Sequence, residues 1–97
     1  MNAQTTELYR RWIDGLKDVK TRARVQVRVD RLCHGNPGDH RYLAEGVFEL
    51  RIDVGPGYRV YYTVCSDSLI VLLCGGDKSS QQRDIEVATD LASTFRE

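Results

Sequence analysis

The sequence predicts one α+β domain, and three observations support that prediction. Apolar residues recur at helical spacing near both ends of the chain, strict alternation marks a β-hairpin in the middle, and a continuously apolar run follows the hairpin. The chain has 97 residues, the length of one ordinary domain, so we expect residues 1–97 to fold as a single unit.

The first predicted helix covers residues 6–17. Four apolar residues there have the i, i+3, i+4, i+7 spacing of one buried helix face. They are Tyr9, Trp12, Ile13 and Leu16. Thr5 or Thr6 can accept a hydrogen bond from the first turn and so cap the helix.

Residues 19–33 fit two structures. Val25, Val27 and Val29 alternate with polar residues, as in a strand, whereas Val25, Val29 and Leu32 also form a helical stripe. The residues alone therefore leave strand and helix open. The sequence Gly35-Asn36-Pro37-Gly38-Asp39 then breaks the chain.

A β-hairpin is predicted around Pro56-Gly57, because proline presets one turn dihedral and glycine accepts a positive φ at the next position. Apolar residues alternate with polar ones on both arms, at Phe48, Leu50, Ile52 and Val54 and again at Val60, Tyr62 and Val64. The pattern places Arg51 and Arg59 together on the polar face of the hairpin.

The polar face of this hairpin also carries Glu49, Asp53 and Tyr61. Two neighbouring guanidinium groups suit a phosphate, since each presents a planar fork of donors. The alternative is an ordinary surface sheet, in which Arg59 pairs with Asp53 and Arg51 pairs with Glu49.

The segment after the hairpin predicts a strand and a helix. Leu69 to Cys74 are continuously apolar, which is typical of a central strand covered on both faces. A helix is expected from about Ser79 to Thr94. Gly75-Gly76 lets the backbone approach a ligand, and Lys78 precedes a helix N-terminus that favours an anion. The alternative is a plain strand-to-helix turn with a surface lysine.

Composition excludes several classes of protein. No apolar run approaches the roughly 20 residues of a membrane span, and the first residues lack signal-peptide character, so we expect a cytoplasmic protein without a membrane partner. Three cysteines without a C-x-x-C pair, with two histidines, predict neither a disulfide framework nor a metal centre, and we expect no cofactor.

The net charge of zero hides a basic segment. Residues 10–31 contain eight basic and three acidic residues. A basic patch on a balanced domain indicates a polyanionic partner, and the alternative is a solvated helical face.

Several blocks of the sequence are distinctive in combination. They are Glu49-Leu50-Arg51, Gly55-Pro56-Gly57-Tyr58-Arg59-Val60-Tyr61 and Leu72-Leu73-Cys74-Gly75-Gly76-Asp77-Lys78-Ser79-Ser80-Gln81-Gln82-Arg83-Asp84-Ile85. With the Trp12-Ile13-Asp14-Gly15-Leu16-Lys17-Asp18 start and the break at 35–39, they resemble the HigB-like addiction-module killer proteins of the RelE/ParE toxin superfamily. The resemblance covers about residues 5–93.

The resemblance implies a RelE-like α+β fold. In that fold, two N-terminal helices pack on a twisted antiparallel sheet of three to four strands, and a C-terminal helix follows. Residues 19–33 would then be helical. The family usually opens with a strand before the first helix, and only Met1 to Gln4 are available for it here, so we expect either a very short strand or a trimmed start.

The resemblance also implies a function. Such proteins are bacterial type II toxins, each silenced by an antitoxin with a helix-turn-helix DNA-binding domain. They act in the ribosomal A site as endoribonucleases, or mRNA interferases, and cut without a metal. The 2′-OH of the RNA attacks the adjacent phosphate and leaves a cyclic phosphate and a 5′-OH.

The family's basic positions map onto several residues of this chain. Arg51, Arg59 and Lys78 would bind the phosphate and stabilise the transition state, as fixed cations do for a developing dianion. The residues expected to contact RNA are Arg41, Tyr61, Lys17, Lys20, Arg24, Arg28 and Arg31. Some relatives carry a C-terminal histidine or tyrosine as general acid, which this chain lacks, so Lys78, Glu49, Tyr61 or the ribosome would transfer the proton.

The sequence is also compatible with two other functions. One is a non-enzymatic toxin that poisons DNA gyrase, as in the ParE branch of the superfamily. The other is a decayed toxin that only binds its antitoxin.

Overall fold

The computed structural model describes residues 1–95, and within them the chain forms five strands and three α-helices. In chain order the elements are β1 (Asn2–Thr5), α1 (Glu7–Gly15), α2 (Val19–Cys33), β2 (His40–Ala44), β3 (Val47–Ile52), β4 (Tyr58–Ser66), β5 (Leu69–Asp77), a 3₁₀ turn (Lys78–Ser80) and α3 (Gln81–Ser93). The strands make one sheet in the order β1-β5-β4-β3-β2. β1 runs parallel to β5, and the other pairs are antiparallel.

The predicted fold class is wrong about the sheet. We expected two helices followed by three to four antiparallel strands. Within residues 1–95 the sheet is instead mixed and has five strands, and the first element is a strand rather than a helix. The physical reason lies at the two edges. Asn2–Thr5 and His40–Ala44 are mostly exposed and lack apolar alternation, and they join the sheet through backbone pairing, which does not depend on side-chain type.

The first two helices pack on one face of the sheet. The hydroxyl of Thr6 accepts from the N–H of Tyr9 and caps α1, and the carboxylate of Asp18 accepts from the N–H of Lys20 and caps α2. The helix over residues 19–33 is confirmed. Beneath the two helices lies a core of Tyr9, Val25, Val29, Leu32, Leu50, Ile52, Val60, Tyr62, Ile70 and Leu72.

The opposite face of the sheet is covered by α3. The core there consists of Val47, Tyr61, Val71, Leu73, Cys74, Ala88 and Ala92. β5 is therefore covered on both faces, as its apolar run predicts. The polar face of the β3–β4 hairpin faces α3, so charged residues on that face, such as Glu49 and Arg59, are buried.

The connection from β5 to α3 differs in detail from the prediction. The 3₁₀ turn at Lys78–Ser80 precedes the α-helix, which begins at Gln81 rather than about Ser79. The carboxylate of Asp77 caps the turn by accepting from the N–H of Ser79. In the part of the chain that the structure describes, none of the helices combines the length and apolar character needed to cross a bilayer.

Candidate functional site

One open depression at an end of the sheet brings together Arg51, Arg59 and Lys78, the three residues predicted to bind phosphate. Its volume is about 390 Å³. The turn at residues 55–57 forms part of its wall, and the carboxylates of Asp39 and Asp53 also line it. The three cations come from β3, β4 and the turn after β5, so sheet pairing places them close together.

Strand register explains how these cations meet. Arg51 lies opposite Arg59 in the β3–β4 pair, and Arg59 lies opposite Gly76 in the β4–β5 pair. The stem of Lys78 passes over the hairpin turn, with its Cγ and Cδ 3.5 Å from where a Cβ on Gly57 would lie. Gly57 has a φ of 82°, so the turn favours glycine there for its conformation.

The guanidinium of Arg59 is buried but weakly satisfied. Its side chain is 10% exposed, and its Nε lies 3.8 Å from Oε2 of Glu49, beyond hydrogen-bonding distance. Its Nη1 donates to the carbonyls of Tyr58 and Gly57 only at 3.4 and 3.5 Å. Burying a charge without close partners is unfavourable. The remaining donor capacity of Arg59 therefore suits an anion in the depression.

Arg51 has a different environment from the one predicted for a surface sheet. Its Nη2 lies 3.2 Å from Oδ1 of Asp39, and its side chain is partly exposed. The alternative pairs, Arg59 with Asp53 and Arg51 with Glu49, do not form. Glu49 is bound by Arg41 and Gln81 instead, Arg51 takes Asp39, and Asp53 is exposed just past the end of β3.

Glu49 and Tyr61 are fully buried beneath α3. Glu49 accepts from Nε of Arg41 at 3.1 Å and from Nε2 of Gln81 at 2.8 Å. Burial raises the pKa of Tyr61, and the negative charges of Glu49 and Asp84 raise it further. Neither residue lines the open depression, so this arrangement offers no contact between Tyr61 and an RNA, and no direct proton transfer from either side chain.

The glycine pair after β5 serves internal packing rather than the approach of a ligand. A Cβ on Gly75 would overlap the indole of Trp12, and a Cβ on Gly76 would overlap the carboxylate of Asp84. The start of the 3₁₀ turn is likewise occupied by the chain itself, since Asp77 accepts from Ser79, and these hydrogen bonds lower the pKa of Asp77. In the first turn of α3, Oδ2 of Asp84 accepts from Oγ of Ser80 at 2.5 Å and places a negative charge there.

The basic face of α2 borders the depression. Lys20, Arg24 and Arg31 are exposed and line a second, larger hollow of about 740 Å³, which reaches Asp53. Since Asp53 lines both hollows, they are neighbours. Lys17 is exposed between α1 and α2, and Arg41 is exposed on β2.

Arg28 differs from the other basic residues of α2 because its guanidinium is bound within the chain. Nη1 donates to the carbonyl of Arg51 at 2.6 Å, and Nη2 donates to the carbonyl of Pro37 at 2.8 Å. Through these bonds, Arg28 links the loop before β2 to the end of β3. Arg28 therefore supports the position of Arg51, whatever it contributes to RNA binding.

Asp39 is the site residue that the sequence reasoning missed. It lies in the break after α2, and its partner Arg51 is distant in sequence, so local patterns carry no signal of the pair. Across residues 1–95, no three His, Cys, Asp or Glu side chains are grouped so that they could hold a metal ion.

Comparison with known proteins places the chain in a family. Residues 11–93 match the family described as phage derived protein Gp49-like (DUF891). A protein of Haemophilus influenzae, described as an uncharacterized protein, is 46% identical over 89 residues, which cover 92% of this chain and 90% of the relative. The family is associated with RelE-like toxins of toxin–antitoxin systems, in which an antitoxin is the partner. The chain belongs to the phage-derived Gp49-like family.

Proposed function

We propose that this protein is a HigB-like toxin of a type II toxin–antitoxin system that cuts mRNA on the ribosome, in the cytoplasm, without a metal. A cognate antitoxin with a helix-turn-helix DNA-binding domain would neutralise it. The observation that supports the proposal is the meeting of Arg51, Arg59 and Lys78 in one open depression. Weak internal pairing of the buried Arg59 adds to that support.

The proposed reaction needs only the RNA and fixed positive charge. The 2′-OH loses its proton and its oxygen bonds to the adjacent phosphorus, while the bond from phosphorus to the 5′-oxygen breaks. The 5′-oxygen takes up a proton, which leaves a 2′,3′-cyclic phosphate and a 5′-OH. The phosphorane gains negative charge on the way, and cations aimed at it stabilise the transition state more than the ground state.

The structure distinguishes among the side chains considered for proton transfer by their access to the depression. Glu49 and Tyr61 are fully buried, whereas Lys78 is exposed at the rim of the depression. We therefore assign proton donation toward the 5′-oxygen to Lys78 or to the ribosome. Asp39 and Asp53 line the depression, and a carboxylate is a suitable acceptor for the 2′-OH proton.

The basic face of α2 supplies a place for the rest of the RNA. Lys20, Arg24 and Arg31 lie beside the depression and would contact phosphates of ribosomal RNA without reading its sequence. Because such contacts release counterions, this part of the binding would weaken steeply with salt.

The test is to map mRNA 5′ ends after inducing the chain in growing cells without its antitoxin. We expect cuts in translated messages that disappear when translation is blocked. Lys78→Ala and Arg51→Ala should lose the cuts by about 10²-fold or more, the size typical of a removed transition-state contact. Arg11→Ala is the matched control, because it removes an exposed arginine from α1 and should cut as the wild type does.

Three outcomes would overturn the proposal in distinct ways. Growth arrest with intact messages and DNA damage would indicate the gyrase-poisoning alternative. Growth without any defect would indicate a protein that only binds its antitoxin. Cleavage that survives both Lys78→Ala and Arg51→Ala would leave the nuclease but refute the assigned site.

A further inference from the structure

We propose that Glu49 is a positioning residue, which fixes the guanidinium of Arg59 at the depression. The inference rests on the proposed function only in taking a phosphate as the ligand of Arg59. Its basis is one fully buried carboxylate that accepts hydrogen bonds from Arg41 of β2 and Gln81 of α3 and lies next to the guanidinium of Arg59 on β4.

The position of Glu49 follows from the strand register. It lies opposite Arg41 of β2 and opposite Tyr61 of β4, so Arg59, two residues before Tyr61, is its diagonal neighbour. Long side chains reach across such a diagonal. Oε2 of Glu49 lies 3.8 Å from Nε of Arg59, and this is the nearest carboxylate contact that Arg59 makes in the described chain.

Two hydrogen bonds hold the carboxylate in place. Nε of Arg41 donates to Oε1, and Nε2 of Gln81 donates to Oε2, the oxygen that faces Arg59. Gln81 begins α3, so the helix and the edge strand β2 both fix Glu49. A charge held at this point restrains the near end of the guanidinium, while Nη1, held only by long hydrogen bonds to the carbonyls of Tyr58 and Gly57, keeps donor capacity for the depression.

A simpler role for Glu49 makes the opposite prediction. If the carboxylate only neutralised Arg59, its removal would add net positive charge near the depression and strengthen anion binding. If it positions Arg59, its removal would weaken anion binding in spite of the gained positive charge. The sign of the change therefore separates the two roles.

The experiment titrates the purified full chain with inorganic phosphate and follows the Nε–Hε signal of Arg59 by NMR. Glu49→Gln keeps the side-chain length and removes the charge, whereas Glu49→Asp keeps the charge and withdraws it by one methylene. We expect both to bind phosphate about fivefold more weakly or worse. The buried Hε of Arg59 should also exchange faster with water, because the guanidinium becomes more mobile without the fixed carboxylate 3.8 Å away. Asp53→Asn is the matched control: it removes an exposed carboxylate from the depression and should tighten binding about twofold.

Phosphate binding by Glu49→Gln that equals or exceeds the wild type would overturn the proposal, as would an unchanged Hε exchange rate. Should neither Glu49 variant fold, Gln81→Ala decides the matter, because it keeps the charge and removes one bond that holds it. Should the wild type bind no phosphate, the proposed site fails and the Hε exchange alone decides the role of Glu49. Since neither readout needs RNA cleavage, a missing nuclease activity would leave this inference standing.

Discussion

The substitution Gly75→Ala tests whether the glycine pair is there for packing. A Cβ at this position would overlap three carbon atoms of the Trp12 indole. The indole borders an open hollow of about 420 Å³, but moving it there would disturb its packing against Tyr9 and Tyr58, whose rings lie 5.8 and 6.3 Å away between centroids. We therefore expect a full overpacking penalty rather than a small adjustment.

The magnitude follows from known overpacking costs. An extra methyl in a tightly packed place destabilises by about 1–3 kcal/mol, and the overlap with three atoms of a rigid ring puts Gly75→Ala near the upper end. For a domain of this size each kcal/mol lowers the melting temperature by roughly 4–8 °C, so we expect a fall of about 10–20 °C. Thermal and urea unfolding followed by circular dichroism measure both quantities.

Gly15→Ala is the matched control for Gly75→Ala. A Cβ on Gly15 meets nothing within 4 Å among the described residues, and Gly15 lies in α1 without a positive φ. The same methyl should therefore stabilise the protein there, by about 0.5–1 kcal/mol. Trp12→Leu should partly relieve Gly75→Ala, so that the double variant is less destabilised than the sum of the two. A Gly75→Ala protein within about 0.5 kcal/mol of the wild type would refute the packing role.

Three further predictions concern single side chains. Glu45 has a φ of 52° in the two-residue loop between β2 and β3, and Glu45→Asn should stabilise the hairpin by about 0.5 kcal/mol in urea unfolding, whereas a loss would contradict the turn assignment. The buried hydroxyl of Tyr9 has no hydrogen-bond partner within residues 1–95, so Tyr9→Phe should be neutral or stabilising by up to about 1 kcal/mol at pH 7. Burial raises the pKa of Tyr9 from 10.0 to about 12, so the folded state keeps its proton where the unfolded state loses it, and stability falls as the pH rises from 10 to 12. Tyr9→Phe should lessen that fall, and a fall as steep as in the wild type would count against it. Hydrogen bonds from Ser79 lower the pKa of Asp77 below 3.8, so Asp77 contributes stability above that pH and the contribution is lost as the pH drops through the lowered value. Asp77→Asn should therefore lose less stability than the wild type between pH 5 and pH 2, and an equal loss would show that the cap has no part in it.

The first and last helices and the central hairpin could be predicted from the sequence because their apolar residues follow one period, and β5 because its residues are continuously apolar. The pattern of residues 19–33 fits two periods, and only the family resemblance favoured the helix. The edge strands could not be predicted, since Asn2–Thr5 and His40–Ala44 face water along most of their length. One signal was available for β2. The dipeptide Glu45-Gly46 precedes the alternating residues of β3, and a polar residue followed by glycine between two short strands is typical of a two-residue hairpin loop.

The candidate site could be predicted in its residues but not in its surroundings. Alternation placed Arg51 and Arg59 on one face, and the register confirms that they are opposite each other. The same alternation gave no indication that α3 buries Glu49 and Tyr61 on that face. The uniformly apolar sequence of β5 did indicate this burial. A strand that is apolar on both faces needs a second layer on each, and the layer over β5 also covers its neighbour β4.

The two cross-strand rows on this face explain how a chain without net charge leaves donor capacity free at one place. In the row of Arg41, Glu49 and Tyr61, the carboxylate is satisfied by Arg41 and Gln81. In the next row Arg51 takes Asp39 as its partner, and Arg59 has Gly76 opposite it, which offers no side chain.

The charged residues that line the depression are three cations and two carboxylates, and Glu49 lies 3.8 Å from Nε of Arg59, so the charges nearly balance. Any selectivity for a phosphate must then come from the geometry of Arg59 rather than from accumulated charge. Salt-dependent affinity for a polyanion belongs instead to the exposed Lys20, Arg24 and Arg31 on α2. If phosphate binding belongs to the depression and polyanion binding to α2, the two variants should differ. Arg24→Ala should lower the salt dependence of RNA binding by about one counterion and leave phosphate binding at Arg59 unchanged. Lys78→Ala should impair phosphate binding. Equal effects of the two variants on phosphate binding would refute the division.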